Sequence, residues 1–141
     1  MSRHVHGRFA RTLAATLFAG VLHTAVSALL WTWFDFTTRV AGNELFLTYV
    51  AVGAFLLGAL PAVAVASARL VTPVLVVTVS FLLSAYGTWS LVASGLTPVD
   101  PTPFGWYLLG WPVVVGGVLL VGAGEYGLRR HRQRPNTAVG E

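Results

Sequence analysis

Two residues in this sequence are of a type and in a setting that could carry chemistry. His23 lies near the middle of a long apolar run, and Glu125 lies about one turn from the end of another. A titratable side chain held away from water is costly, so such a residue usually faces protein and serves as a relay, a ligand or a hydrogen-bonded packing group. Ser27 follows His23 by one helical turn, and Gly20 and Thr24 share the adjoining face. A neutral imidazole there is expected to hydrogen-bond locally, or across to Ser80, Ser84 or Thr88 of a neighbouring segment. The functional alternatives are a proton-relay group or a haem ligand. Two-histidine ligation within one chain is geometrically poor, because His6 is about 25 Å from His23 along a helix, and His4 and His131 fall near the same end.

Glu125 precedes Arg129 by four residues, the order in which a helical acid and base attract, so a boundary salt bridge is expected. The alternative is an ion or proton site that shares its face with Gly117 and Val121. Asp35, Glu44 and Asp100 fall between the apolar runs, so no second buried carboxylate is expected to form a dyad. The chain has no cysteine, which removes disulfides, thiolate metal sites and cysteine nucleophiles. A Gly-rich phosphate loop, a Ser-His-acid set and a metal-spaced cluster are likewise missing from the sequence. No catalytic, cofactor or metal site is therefore expected, and enzyme is the least supported class.

The elements that must position these residues follow from composition. Of the 141 residues 55% are hydrophobic and only 10% are charged, with a mean hydropathy of +0.72. That leaves too little polar surface to coat a water-soluble particle. Four uncharged or nearly uncharged stretches, 13–34, 45–68, 71–93 and 104–128, each hold enough residues to cross about 30 Å of hydrocarbon at about 1.5 Å per residue. The expected fold is all-α: an up-down four-helix transmembrane bundle over 12–128, preceded by a basic segment at 1–11 and followed by a solvated basic tail at 129–141. A cleaved signal peptide is the competing reading of the first stretch, with Val26-Ser27-Ala28 at suitable spacing. Its apolar core is longer than the usual 7 to 15 residues, however, and continues through Leu29, Leu30 and Trp31.

Arginine sets the orientation. Arg3, Arg8, Arg11, Arg69, Arg129, Arg130, Arg132 and Arg134 fall in alternate connections, leaving only Arg39 opposite, beside Asp35, Glu44 and Asp100. Short arginine-rich loops are retained in the cytoplasm, so both termini are expected inside the plasma membrane. Trp31, Trp33, Trp89, Trp106 and Trp111 cluster toward the other side, as an aromatic belt would.

Packing is expected along small residues: Thr12, Thr16, Gly20, Thr24 and Ala28 on the first helix, and Ala54, Gly58, Ala62 and Ala66 on the second. Ser80, Ser84 and Thr88 repeat the pattern on the third helix, while Gly110, Gly117 and Gly124 give the fourth a smooth face. That face could serve ordinary bundle packing or a homo-oligomer. Pro61 and Pro112 each remove a backbone donor and are expected to kink their helices. Thr72-Pro73 reads as an N-cap and first-turn proline.

Functionally, the sequence points first to a non-catalytic structural or accessory membrane subunit, alone or in a larger complex. The second reading is a small oligomeric transporter or channel that uses His23 and the proline-broken helices. The lipid bilayer is the expected partner. Arg129, Arg130, Arg132 and Arg134 should attract anionic headgroups at about 1 kcal/mol per charge, and without interleaved aromatics no nucleic-acid role is expected.

The orientation gives a first prediction. Reporters active only in the cytoplasm, fused to the first and to the last residue, should both be active. Activity at one end only, or recovery of the protein without detergent, would overturn the threading.

Overall fold

A computed structural model of the chain describes residues 2–36, 43–95 and 102–132. The connections expected at 35–43 and 97–103 fall largely outside them. The described residues form five α-helices: α1 (Ser2–Trp33), α2 (Glu44–Ala68), α3 (Thr72–Ala93), α4 (Pro103–Leu109) and α5 (Trp111–Arg132). Four helices, α1, α2, α3 and α5, are long and apolar enough to cross a membrane.

Contacts between elements fix the directions. Trp31 of α1 meets Phe46 of α2, while Gly20 meets Phe55, so numbers rise on one helix as they fall on the other and the pair is antiparallel. Gly53 of α2 lies against Trp111 of α5, and Arg69 at the end of α2 is bonded by Arg129 of α5, so these two helices run parallel. Thr72 at the start of α3 bonds Glu125 late in α5, while Thr88 near the end of α3 bonds Phe104 ahead of α5, which sets α3 antiparallel to both. The tryptophan-bearing ends of α1 and α3 therefore lie at the same end as α4, and the arginines of α5 lie at the other.

Three expectations are corrected. Helix α1 begins at Ser2, well before position 13, because hydropathy marks where a helix enters an apolar layer and not where its hydrogen-bonded ladder starts. The fourth stretch, expected as one kinked helix over 104–128, is two helices. Its break falls at Gly110, and Pro112 is the second residue of α5, where its missing N–H costs nothing. At its far end α5 carries on to Arg132, so the start of the expected solvated tail is helical. Helix α2 runs unbroken through Pro61, which is buried.

The core is small and runs from the aromatic end into the middle of the bundle, where Val77 and Val118 are buried. Phe36, Leu57, Phe104, Tyr107 and Leu108 are also buried, and Phe104 is completely so. Most of the remaining apolar side chains are exposed, including Phe9, Phe18, Leu29 and Trp33 on α1. Such an outward apolar surface suits lipid, in which burial gives no hydrophobic gain and helices associate through close packing.

Close packing is what small residues permit on the α1–α2 seam. A Cβ added at Gly58 would run into the Ala19 carbonyl oxygen and sit 2.7 Å from the His23 Cβ, and one at Gly20 would meet the Phe55 ring at 2.5 Å. Thr24 also lines this seam, Thr12, Thr16 and Ala62 are part-buried, and Ala28 and Ala66 are exposed. The smooth face of α5 is different. Added Cβ atoms at Gly117 and Gly124 would meet nothing within 4 Å, so neither glycine is required by packing within this chain.

That contrast is measurable. Gly58→Ala should destabilise the folded chain in detergent by about 1–3 kcal/mol through overpacking against backbone that cannot yield. Gly117→Ala should be neutral, or stabilising by up to about 1 kcal/mol from helix propensity. Equal effects of the two changes on reversible unfolding would contradict the assigned seam.

Candidate functional site

His23 sits where four helices converge. Its Cβ is set against Gly58 of α2, its ring centroid lies 4.9 Å from that of Phe81 on α3, and its Nε2 lies 3.1 Å from the Tyr107 hydroxyl of α4. In the neutral tautomer protonated at Nδ1, the phenol donates to Nε2. The partner is thus Tyr107, not the serines or threonine of α3. Ser84 turns back to bond the Phe81 carbonyl at 2.8 Å, and Thr88 is occupied elsewhere. Tyr107 is buried among Phe81 (5.7 Å) and Phe104 (6.4 Å, nearly parallel), and Phe34 packs on Phe104 at 5.9 Å. The imidazole is therefore walled by aromatic rings and a glycine.

The short helix α4 that presents Tyr107 is held at both ends by side chains. At its start the Thr102 hydroxyl accepts from the Gly105 N–H at 3.0 Å, and the Phe104 N–H donates to the buried Thr88 hydroxyl of α3 at 2.9 Å. Pro103 has no N–H to satisfy, so the free donors of the first turn, Phe104 and Gly105, are both paired in this way. At its finish the ladder is interrupted. The Gly110 N–H bonds the Trp106 carbonyl at 2.7 Å, while the Val113 and Val114 N–H groups both turn to the Gly110 carbonyl. The Leu109 carbonyl, which an unbroken helix would pair with Val113, instead accepts from the Tyr49 hydroxyl of α2 at 2.8 Å. A Cβ at position 110 would press to 2.8 Å from the Trp106 carbonyl oxygen, so glycine suits the break.

Glu125 and Arg129 form the second cluster. Their ion pair, 2.6 Å from Oε1 to Nη2, follows the i,i+4 spacing. Both groups also reach beyond their own helix. The Glu125 carboxylate accepts from the Thr72 N–H (3.1 Å), the Thr72 hydroxyl (2.7 Å) and the Val71 N–H (3.5 Å), which caps the N-terminus of α3. The Thr72 hydroxyl, expected to cap its own helix, is a donor in this cap. Arg129 donates through Nη1 to the carbonyl of Arg69, the C-cap just beyond α2, at 3.1 Å. An acid at a helix start and a base at a helix end each oppose the partial charge found there. Arg69 itself adopts a left-handed φ of 54°. The Arg69 N–H bonds the Val65 carbonyl and the Leu70 N–H the Ala64 carbonyl, a left-handed close that tucks Leu70 inward.

The glycine-spaced residues and prolines do not gather into one site. Gly20, Thr24 and Gly58 belong to the α1–α2 seam, Ala62 is part-buried on α2, Gly117 and Gly124 lie on open α5 surface, and Pro61 and Pro112 lie on separate helices. Thr24 bonds the Gly20 carbonyl of its own helix at 2.9 Å. Two buried polar atoms have no hydrogen-bond partner among the described residues, Ser27 Oγ and Trp111 Nε1. Ser27 lines a cavity of about 280 Å³ between α1 and α2. Tyr49, Thr88 and Tyr107 carry hydrogen bonds between elements that no local spacing announces. Their only sequence signal is a hydroxyl set in an apolar run.

No family model matches the sequence, and neither a curated protein nor a solved structure matches it.

The His23–Tyr107 pair yields a prediction about stability. Tyr107→Phe should cost about 0.6–1.7 kcal/mol, the range of hydrogen bonds between membrane helices, and most of that cost should vanish when His23 is already Phe. Additive losses across this double-mutant cycle would mean that the two side chains do not interact.

Proposed function

We propose that this chain is a small multi-pass protein of the plasma membrane, with both ends cytoplasmic, that works as a non-catalytic structural or accessory subunit. The observation that carries the reading is the fate of its two inset ionisable groups. His23 is bonded to Tyr107 within a wall of rings, and Glu125 is spent on capping α3 and pairing with Arg129. A relay needs a group that can change partner along a polar path, and three hollows beside α1 among the described residues are lined by no charged residue. The arginine asymmetry supports the orientation. Arg130 and Arg132 are exposed for anionic headgroups, while Arg129 is engaged at the α2–α3 turn. The open glycine face of α5 suits contact with another helix, in a homo-oligomer or a larger complex.

The second reading, a small oligomeric transporter or channel, draws on the break between α4 and α5, since interrupted helices often line translocation paths. Here the freed Leu109 carbonyl is taken by Tyr49, which favours a sealed break over a binding one.

Affinity purification of the full chain from its native membrane separates the two. The accessory reading expects a stoichiometric partner and no flux in proteoliposomes. A chain that purifies alone and supports a solute or proton flux abolished by His23→Ala would overturn it.

A further inference from the structure

Helices α1 and α3 run in the same direction, and toward their tryptophan-bearing ends a hollow of about 300 Å³ lies between them. On α3 it is lined by Leu82, Ala85, Tyr86 and Trp89, which share one helical face at spacings of three and four. On α1, Leu30, Trp33 and Phe34 repeat that spacing. Because the two helices are parallel, both faces change character in the same order. Leu30, Leu82 and Ala85 line the part nearer the middle of the bundle, and Trp33 and Trp89 line the part nearer the helix ends, with Tyr86 one turn below Trp89. The hollow is apolar at its base and aromatic at its mouth.

The rings at the mouth are not spent on the core. Trp33 is 78% exposed, Tyr86 64% and Trp89 51%. The Tyr86 and Trp89 centroids lie 5.8 Å apart with their planes 38° from one another. A cation seated between them can lie within about 6 Å of both, the range over which a ring quadrupole attracts positive charge. The two hollows on the α1–α2 side carry one ring each, Trp31 in one and Phe55 in the other, so the concentration of rings is particular to this hollow.

The charge at this end has the complementary sign. The connections here carry Asp35, Glu44 and Asp100 against Arg39, and the other eight arginines fall toward the opposite end. An acid excess draws cations to the boundary, and no basic side chain lines the hollow for an anion. No carboxylate lines it either, so a small, strongly hydrated ion has no ligand there. Recognition falls to the rings, which suit a large and weakly hydrated cation.

We propose that the α1–α3 hollow binds a quaternary ammonium amphiphile, with the trimethylammonium head among Trp33, Tyr86 and Trp89 and the alkyl chain on Leu30, Leu82 and Ala85. The site is independent of whether the chain is an accessory subunit.

The test uses the purified full chain in maltoside micelles, which present no competing cation, and two photoactivatable probes. One is an alkyltrimethylammonium with a diazirine beside its head, and the other is its uncharged analogue with carbon in place of nitrogen. The cationic probe should label the peptides that hold Trp33 and Trp89 about fivefold more strongly than the neutral one. Trp89→Leu should remove most of that preference, and Trp89→Tyr should keep part of it. Melting curves show whether each variant retains its fold, and the comparison of the two probes on the unaltered chain decides the outcome without any variant. Equal labelling by the two probes, or a cation preference that survives Trp33→Leu combined with Trp89→Leu in a folded chain, would overturn the proposal and leave ordinary lipid-facing aromatics.

Discussion

A backbone N–H or C=O left without a partner in apolar surroundings is costly, and three departures from helix among the described residues are shaped by that constraint. Each of these three is met by a side chain from another element. At the α2–α3 turn, Glu125 takes the first N–H groups of α3 and Arg129 takes the carbonyl of Arg69, the C-cap of α2. At the start of α4 the Phe104 N–H goes to Thr88. At the break before α5 the Leu109 carbonyl goes to Tyr49. The long-range hydrogen bonds are therefore located where the ladders stop.

The same constraint accounts for the placing of the polar residues. Polar side chains are sparse in a chain with 10% charged residues, and Glu125, Arg129, Thr88 and Tyr49 are set against exposed backbone instead of an aqueous pathway. His23 with Tyr107 is the exception, a pair between side chains at the convergence of four helices. Its energetic role is specificity of packing. A phenol and an imidazole that find each other fix the depth and rotation of α4 against α1, which apolar rings alone would leave loosely determined.

Packing density divides the bundle in two. At the Gly20–Gly58 crossing the helices approach until backbone meets backbone, and at the aromatic end rings from α1, α3 and α4 fill the centre. Between these tight regions the α1–α2 seam opens at Ala28, Ala51 and Ala54, and the glycine face of α5 is uncovered. An accessory protein needs surfaces of that kind, since a chain whose helices are all mutually saturated has nothing to offer a partner.

The sequence by itself determined the number of long apolar helices, the small-residue character of the α1–α2 seam and the Glu125–Arg129 pair, because each follows from residues close together along the chain. Hydropathy, four-residue spacing and charge order are local quantities. Only the tertiary structure decided that Tyr107 is the partner of His23, that Glu125 caps a helix more than fifty residues away, and that the fourth apolar stretch breaks at Gly110. Those outcomes depend on which carbonyl or N–H is left unpaired once the helices are docked, and on which hydroxyl stands opposite. Proline at 112 signalled a disturbance, but a kink inside a helix and a break just before one have the same local sequence. What separates them is Tyr49, a residue of another helix, waiting at the freed carbonyl.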